Sequence, residues 1–238
     1  MERDYMIAGL RVRMDTFGRT EQQAEKYLTQ TTGEPDIVIS NHPEAFLQRH
    51  PHLTLEECEY LTSGSSFYRQ LVNFDGMMLH ASAVVKDGYA YLFSAPCGTG
   101  KSTHTGLWRK TFGEDQVLML NDDKPALRLE DGRWYAYGTP WSGKTGQNIN
   151  MRVPLGGICI LTRGETNEIA PFGGALAALA LMEQTSRPGM AEGRGTLLEL
   201  MDKLLTKVPV WKLKCTPTEE AARVSQRAMY EEAKKRFG

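Results

Sequence analysis

The stretch from Ser94 to Trp108, SAPCGTGKSTHTGLW, places two glycines, a lysine and a serine at the head of a helical pattern. Residues 95–102 satisfy the phosphate-binding pattern G-x-x-x-x-G-K-[ST] at every fixed position except the first, where Ala95 replaces glycine. Gly98 and Gly100 would let backbone N–H groups turn toward phosphates without a Cβ in the way. The predicted nucleotide-binding residues are Cys97, Gly98, Thr99, Gly100, Lys101, Ser102 and Thr103.

Two side chains of this loop predict distinct contacts with a nucleotide. Lys101 would neutralise the charge of the β- and γ-phosphates, and Ser102 would offer its hydroxyl to magnesium. A helix that starts at this point adds unpaired N–H groups and the positive end of its dipole. The alternative is a chance glycine turn, which the order of strand, loop and helix disfavours.

The elements that must position the loop are visible on both sides of it. The segment MMLHASAVV from Met77, the dipeptide Asp87-Gly88 and the segment YAYLFS predict a hairpin of two apolar strands. The second strand leads directly into the loop, and a helical pattern covers residues 101–111. A second hairpin is predicted around Asp131-Gly132, and a further strand over Gly156–Thr162.

Two adjacent acids follow the next apolar strand. The segment VLML, Val117–Leu120, ends in Asn121, Asp122 and Asp123. One carboxylate can hold the Mg²⁺ ion that bridges the nucleotide phosphates, and the other can take a proton from an attacking hydroxyl. The alternative is a solvated turn that closes a strand.

The first part of the chain carries no recognisable motif. An alternating stretch over Tyr5–Met14 and a helical pattern around Leu53–Leu71 suggest a small α/β lead-in. We predict a lead-in of residues 1–73, packed on a nucleotide-binding core of residues 74–238. The core ends in a helical pattern over residues 217–237.

A second polar loop, GTPWSGKTGQN, covers Gly138–Asn148. Its glycines permit close backbone approach, and Lys144 could reach an anionic group of the nucleotide or of an acceptor. Trp141 could stack on adenine or close the pocket. An ordinary flexible connection and a tryptophan of the core are the alternatives.

Elsewhere, His104 and Arg109 are expected at the surface, and Leu181 and Met182 in the core.

Composition excludes several classes of protein. With 28 basic and 29 acidic residues, the formal charge of −1 does not suggest a nucleic-acid surface. The four cysteines lie far apart without zinc spacing, as expected for reduced thiols in a cytoplasm. The charged amino terminus and the lack of a long apolar run predict a soluble, cytoplasmic protein that does not bind membranes.

Three segments together resemble a known nucleotide site. HASAVV at His80–Val85, CGTGKST at Cys97–Thr103 and NDD at Asn121–Asp123 are similar to the site shared by HPr kinase/phosphorylase and phosphoenolpyruvate carboxykinase. The resemblance covers about residues 77–130. It implies an α/β (α+β) fold with a mixed, largely antiparallel P-loop core of that type, and the two predicted hairpins agree with it independently.

The resemblance also implies roles for individual residues. Lys101 and Ser102 match the phosphate lysine and the magnesium hydroxyl of this group. Asp122 matches the general base of the kinase, and Asp123 matches an acid associated with the metal in both relatives. His80 matches a histidine beside the reacting phosphate, although a lone histidine in an apolar strand is as often a hydrogen-bonded core residue.

The sequence lacks features of both enzymes that it resembles, and these differences bear on the predicted activity. Residues 60–79 contain only Arg69 and no lysine, whereas a carboxykinase has a metal-binding lysine shortly before its histidine. The phosphorylase signature of the bifunctional HPr enzyme is also missing. We therefore predict an ATP-dependent phosphotransferase that uses Mg²⁺ and a hydroxyl acceptor, such as serine in a peptide, a protein or a small molecule.

Two other functions stay open at this point. The chain could be an ATP-binding regulator without transfer activity, or a carboxy-lyase similar to phosphoenolpyruvate carboxykinase. The second acid favours catalysis over binding alone. The absence of the metal-binding lysine, and of the arginines with which a carboxykinase binds its dicarboxylate substrate, disfavours the lyase. Homo-oligomer formation and the use of ADP or pyrophosphate as donor are not decided by the sequence.

Overall fold

A computed structural model of the chain describes residues 2–189 and 191–237. The helices are α1 (Gly18–Ala24), α2 (Pro43–Arg49), α3 (Leu55–Leu71), α4 (Lys101–Phe112), α5 (Gly174–Glu183), α6 (Ala191–Lys207) and α7 (Glu219–Phe237). The strands are β1 (Arg3–Ile7), β2 (Leu10–Met14), β3 (Ile37–Ile39), β4 (Gly76–Met78), β5 (Ala81–Lys86), β6 (Tyr89–Ser94), β7 (Leu118–Asn121), β8 (Ala126–Glu130), β9 (Arg133–Tyr137), β10 (Arg152–Arg163), β11 (Glu168–Pro171) and β12 (Val210–Cys215). Short 3-10 turns occupy Glu25–Tyr27, Val72–Phe74 and Gly143–Thr145.

The described strands form two sheets. A small sheet has the order β1-β2-β3, with β1 antiparallel and β3 parallel to β2. A nine-stranded sheet follows the path β4-β8-β9-β10-β6-β5-β7, while β12 pairs with β10 and β11 pairs with β12. Most neighbours in it are antiparallel, but β10 runs parallel to both β6 and β12. The fold is therefore mixed α/β with a mixed sheet, as the sequence predicts.

The two Asp-Gly dipeptides form the predicted hairpin turns. Asp87-Gly88 joins β5 to β6, and Asp131-Gly132 joins β8 to β9. The φ angles of these four residues, 52°, 80°, 48° and 78°, are all positive. Two positive φ angles in succession match the twist of two paired strands, which is why aspartate or asparagine followed by glycine favours such turns. Local turn chemistry thus sets up β6, the strand that leads into the glycine loop.

Helices cover both faces of the central strands. Alternate residues of β6 point to opposite sides, so that Leu92 belongs to one apolar core and Phe93 to another. α6 covers the first face through residues such as Leu200. α4 covers the second face through Trp108, which is fully buried and donates through Nε1 to Ser225 Oγ of α7 at 2.9 Å. Burial on both faces accounts for the nearly continuous apolar runs of these strands.

The segment before β4 packs around α3. Thr54 begins this helix with a capping box, in which its hydroxyl and the Glu57 carboxylate each accept a hydrogen bond from the other residue's N–H. A third apolar core joins the small sheet and α3 to the large sheet, with Ile7, Phe67 and Tyr137 among its members. Residues on both sides of position 73 therefore share one core.

The sequence-based prediction does not include several elements, notably α2, α6 and the pair β11 and β12. Leu181 is buried and Met182 packs against the same core, as predicted, whereas Leu176 and Leu179 of α5 are 68% and 60% exposed.

Among the described helices, none is both long and apolar enough to cross a bilayer.

The expectation that His104 lies at the surface is wrong. Its side chain is buried between α4 and α7, where Nε2 lies 3.0 Å from Ser225 Oγ and the ring packs on Phe93. Burial lowers the pKa of His104 to about 4. A neutral imidazole can lie in this core because its nitrogen has a hydrogen-bond partner. The helical sequence pattern alone does not show whether such a histidine is buried or exposed. Arg109, the other residue expected at the surface, is partly exposed.

Glu59 of α3 is a buried carboxyl whose pKa generates a test of the fold. Burial raises the pKa of Glu59 from 4.5 to about 7, against the opposing hydrogen bond from Thr20. Because the folded-state pKa is the higher one, the carboxyl destabilises the fold once it ionises. The contribution of Glu59 to stability should be fully present below about pH 4.5 and should fall as the pH rises to about 7, by up to about 3 kcal/mol.

Glu59→Gln should remove most of this pH dependence, because the amide resembles the protonated acid. Thermal unfolding of both proteins at pH 5 and pH 8 measures the effect, with Glu44→Gln on exposed α2 as the matched control. Equal loss of stability between the two pH values in Glu59→Gln and in the unchanged chain would contradict the assignment.

Candidate active site

The sheet topology brings three separate segments to one edge. β5 lies between β6 and β7 and is antiparallel to both, so β6 and β7 run in the same direction. The glycine loop after β6 and the acids after β7 therefore leave the sheet at the same edge, beside the residues that precede β5. Strands with one neighbour between them are about 10 Å apart, a distance that phosphates and a metal ion can bridge.

The loop itself has the conformation that its glycines predict. Gly98 and Gly100 have φ angles of 77° and 119°, which favour glycine over residues with a Cβ. Apart from Gly98 itself and its two chain neighbours, no residue that the structure describes has an atom within 4 Å of the place where a Cβ of Gly98 would be. Ala95, by contrast, does not have a positive φ and is buried in the core. The backbone conformation therefore requires the two glycines, the alanine is compatible with it, and the space over Gly98 is open.

Two cations are bonded to carbonyl groups of the loop. Lys101 donates through Nζ to the Ala95 carbonyl oxygen at 2.9 Å. Arg163, at the end of β10, donates to the carbonyl oxygens of Gly98 and Thr99. These bonds tie the loop both to its own helix and to the adjacent parallel strand.

Asp122 is buried and held by hydroxyl groups. Its Oδ1 accepts a hydrogen bond from Ser82 Oγ at 2.6 Å, and its Oδ2 accepts one from Thr145 Oγ1 at 3.0 Å. Ser82 Oγ also lies 2.7 Å from Thr105 Oγ1, on the second turn of α4. This chain of hydroxyls links the acid to the helix that begins with Lys101.

Asp123 lies in a positively charged environment. Its Oδ1 is 3.2 Å from His80 Nε2, and its Oδ2 is 3.8 Å from Lys124 Nζ. Burial alone would raise the pKa of Asp123, but the hydrogen bond from His80 and the charges of Lys124, His80 and Lys101 outweigh it and lower the pKa. His80 is fixed in turn by Gln184, whose Oε1 lies 3.2 Å from its Nδ1 and whose carbonyl accepts its N–H.

Electrostatic interaction connects the acids with the loop lysine. Burial lowers the pKa of Lys101, while the charges of Asp123, Cys97 and Asp122 oppose that shift. The strand order β6-β5-β7 and the hydroxyl chain from Asp122 through Ser82 to Thr105 place these groups at the same end of the sheet. The structure therefore brings together the predicted residues of the loop, the acid pair and His80.

A cleft of about 420 Å³ opens beside the loop. Its floor is formed by the loop and α4, and its walls by the ends of β10 and β12. The lining residues are Gly98, Thr99, Gly100, Thr103, His104, Leu107, Leu161, Thr162, Arg163, Gly164, Cys215, Thr216 and Pro217. The mixture of apolar side chains and backbone amides suits a nucleoside next to a phosphate loop.

The second polar loop packs directly on the acids. Thr145 bonds to Asp122, and a Cβ at Gly143 would lie 3.1 Å from Cβ of Asp123. The N–H of Asp122 donates to the carbonyl oxygen of Gln147 at 3.1 Å. The Gly143–Thr145 turn is therefore a structural part of the candidate active site.

The structure corrects the substrate role predicted for Trp141. Its side chain is fully buried, stacks on Phe67 at 5.0 Å between ring centroids, and donates through Nε1 to Ser63 Oγ at 3.1 Å. No face of the indole is left for a base, because the neighbouring core was built by α3, which is distant in sequence. Lys144, the other predicted substrate residue, is exposed and lies on a different cleft from the one beside the glycine loop.

Sequence reasoning missed several residues of this site. Ser82, Thr145 and Gln184 contact Asp122 or His80, and Arg163 and Lys124 add positive charge. Ser82 lies in the predicted strand segment His80–Val85, and Thr145 lies in the second polar loop, Gly138–Asn148. Only the pairing of strands shows that their hydroxyls reach Asp122.

The predicted magnesium residues fit an ion that is shared with a nucleotide. Among the described residues, no three side chains of the His, Cys, Asp and Glu types form a metal site of their own. Asp123 is kept ionised by its surroundings, and the exposed Ser102 hydroxyl forms no hydrogen bond to the residues the structure describes. One carboxylate, one hydroxyl and phosphate oxygens are a usual magnesium environment.

A protein-family model matches most of the chain. The family described as SynChlorMet cassette protein ScmC matches residues 54–219, well over half of the sequence. The chain belongs to the ScmC family. The matched segment contains the glycine loop, the acid pair, His80 and the Gly143–Thr145 turn.

One solved structure similar to this chain is that of the Hpr(Ser) kinase/phosphatase from Coxiella burnetii. The two share 11% sequence identity over 68% of this ScmC family member and 99% of the other chain, with a TM-score of 0.40. That TM-score is too low for activity to be transferred from one chain to the other. No curated protein matches the sequence.

Cys97 offers a test of where a nucleotide binds. It is exposed within the loop, whereas Cys58 and Cys159 are buried. Iodoacetamide should therefore modify Cys97, and MgATP should slow this reaction about tenfold because bound phosphates fill the loop. Mass spectrometry of the Cys97 peptide measures the rate, and Lys101→Ala should lose the protection. Equal rates with and without MgATP in the unchanged chain would place the nucleotide elsewhere.

Proposed function

We propose that this chain is an ATP-dependent phosphotransferase that moves the γ-phosphoryl group to a hydroxyl acceptor. The main support is the position of Asp122, a buried carboxylate joined through Ser82 and Thr105 to the helix that begins with Lys101. A protein that only binds nucleotide needs one acid for its metal. A second acid, linked through hydroxyl groups to the helix that begins with Lys101, supports a role for Asp122 as the general base.

The loop and its helix would hold the triphosphate. Backbone N–H groups from Gly98 to Ser102 and the positive end of α4 bind phosphate oxygens. Lys101 would exchange its bond with the Ala95 carbonyl for a phosphate oxygen and balance the charge that develops during transfer. The nucleoside would occupy the cleft beside the loop.

Ser102 and Asp123 would hold the Mg²⁺ ion of MgATP. When bound, the ion neutralises phosphate charge and helps to orient the triphosphate. His80 positions Asp123 through the contact between Nε2 and Oδ1, and Gln184 fixes the imidazole from the opposite side. His80 is thus a positioning residue for the metal carboxylate in this arrangement.

Asp122 would accept the proton of the acceptor hydroxyl. Each carboxylate oxygen has two lone-pair directions, and each receives one hydrogen bond from the protein, so that acceptor capacity remains. The hydroxyl oxygen forms a bond to the γ-phosphorus as the bond to the β,γ-bridging oxygen breaks. The proton passes to Asp122, and ADP leaves with the bonding electron pair.

Asp122→Asn tests the role of the base. The amide keeps the shape of the side chain but cannot take the proton, so phosphoryl transfer should fall by about 10²- to 10⁴-fold while ATP affinity changes by no more than about threefold. Transfer is measured with labelled ATP and a pool of serine-containing peptides, and ATP binding by calorimetry. Asp202→Asn, on the exposed face of α6, is the matched control.

The same assays separate this proposal from the alternatives. Near-normal transfer by Asp122→Asn would exclude Asp122 as the base. ATP binding without any labelled acceptor would favour a nucleotide-dependent regulator. Release of CO₂ from oxaloacetate in the presence of ATP would favour the carboxy-lyase.

A further inference from the structure

A second cleft lies against Thr145, the residue that donates a hydrogen bond to the candidate base Asp122. Its volume is about 430 Å³, and it is formed between α1, the start of α3 and the Gly143–Thr145 turn. The lining residues are Arg19, Gln22, Gln23, Lys26, Glu56, Lys144, Thr145 and Gly146, which we call the basic cleft. It shares no lining residue with the cleft beside the glycine loop. A nucleotide on the loop would therefore leave the basic cleft free.

The basic cleft is connected to Asp122 through one of its lining residues, Thr145. Thr145 lines it and donates to Asp122 Oδ2 at 3.0 Å. The aromatic ring of Tyr60 forms a second connection between the basic cleft and the acids. Its centroid is 5.0 Å from the guanidinium of Arg19, which lines the cleft, and 5.2 Å from Lys124 Nζ. Lys124 in turn neighbours Asp123. A molecule in the basic cleft would thus present its groups next to the carboxylate that accepts a proton.

Positive charge dominates the lining of the basic cleft. It contains three cationic side chains, Arg19, Lys26 and Lys144, and one carboxylate, Glu56. Glu56 accepts the backbone N–H of Arg19, and the other nearby acid, Glu57, is engaged in the capping box with Thr54. Lys144 forms no hydrogen bond or ion pair with the residues that the structure describes. Three cations from three separate elements would attract an anionic ligand.

The walls of the basic cleft are held rigidly by buried polar contacts. Gln23, 8% exposed, accepts the N–H and hydroxyl of Ser142 and donates to the Gly143 carbonyl at 3.0 Å. Tyr60 accepts the Gly143 N–H at 2.7 Å. Lys26 donates to the Asn148 carbonyl at 2.8 Å. The small amino-terminal elements therefore fix the turn that touches both acids, which is what preorganised substrate binding requires.

We propose that the basic cleft binds the phosphoryl acceptor, and that this acceptor is a hydroxyl compound with carboxylate groups close to the hydroxyl. The inference rests on the proposed phosphotransferase function and adds the chemical class of its substrate. Arg19, Lys26 and Lys144 bind the carboxylates, which places the hydroxyl against Asp122 Oδ2 beside Thr145. The first seventy or so residues then supply five of the eight residues that line the acceptor site.

Paired peptides test this assignment. One peptide carries a central serine flanked by two glutamates on each side, and the other has glutamine at those four positions. The protein loaded with MgATP should phosphorylate the glutamate peptide with a KM about tenfold or more below that for the glutamine peptide. Lys144→Glu should remove this preference with the KM for ATP unchanged, and Arg19→Glu should do the same. Lys234→Glu, on exposed α7, should keep it.

Binding measurements make the outcome independent of turnover. Fluorescence anisotropy of both peptides on the protein loaded with a non-hydrolysable ATP analogue should show the same preference and the same dependence on Lys144. Equal binding of the two peptides, or a preference that survives in both charge-reversed variants, would overturn the acceptor assignment. Failure to bind MgATP at all would instead overturn the proposed function.

A third arm distinguishes the two sources of such an acceptor. Free glycerate carries a hydroxyl beside a carboxylate but no peptide backbone. Phosphorylation of glycerate that depends on Lys144 would identify a small hydroxy acid, and phosphorylation of the glutamate peptide alone would identify a peptide segment. Either result supports an anionic acceptor in the basic cleft.

Discussion

The strand order β6-β5-β7 is the constraint on which the candidate active site depends. Because β5 is antiparallel to both neighbours, the ends of β6 and β7 meet at one edge, and the start of β5 lies between them. Ser82 therefore sits midway, close enough to bond both Asp122 and Thr105. A parallel arrangement of three successive strands would need long crossover connections to reach the same edge, whereas here a two-residue turn joins β5 to β6.

The same edge explains why polar groups can be buried there. Asn121 is fully buried, but its amide donates to Thr139 and its Oδ1 accepts the N–H groups of Asp123 and Lys124. Asn121 thus shapes the turn in which the two acids diverge, one toward hydroxyls and the other toward cations. Since an unpaired buried polar group costs about 1–3 kcal/mol, this network stabilises the fold only when it is complete. The geometry of the acids is for that reason strongly determined.

Local signals account for the parts of the structure that the sequence predicted. The Asp-Gly turns, the glycine loop and the apolar runs act over a few residues, and the hairpins and α4 followed from them. Trp141 could not be placed in this way, because its partner Phe67 is more than seventy residues away in sequence. The basic cleft is a similar case, since Arg19 and Lys144 meet only through the packing of α1 and α3 on the Gly143–Thr145 turn. The sequence shows Lys144 beside a glycine turn, but it does not show that α1 and α3 pack against that turn.

Lys101 shows how the site is prepared for a polyanion. Burial disfavours its charged form, and its hydrogen bond to the Ala95 carbonyl offers only a neutral acceptor in return. A phosphate oxygen would replace that dipole with a full negative charge, in surroundings where charge–charge interaction is stronger than in water. The negative charges of Asp123, Cys97 and Asp122 oppose this effect of burial but do not cancel it, so the pKa of Lys101 stays lowered. In the proposed function, a triphosphate would therefore balance the charge of the loop lysine better than the Ala95 carbonyl does, and this would favour binding of the phosphates at the loop.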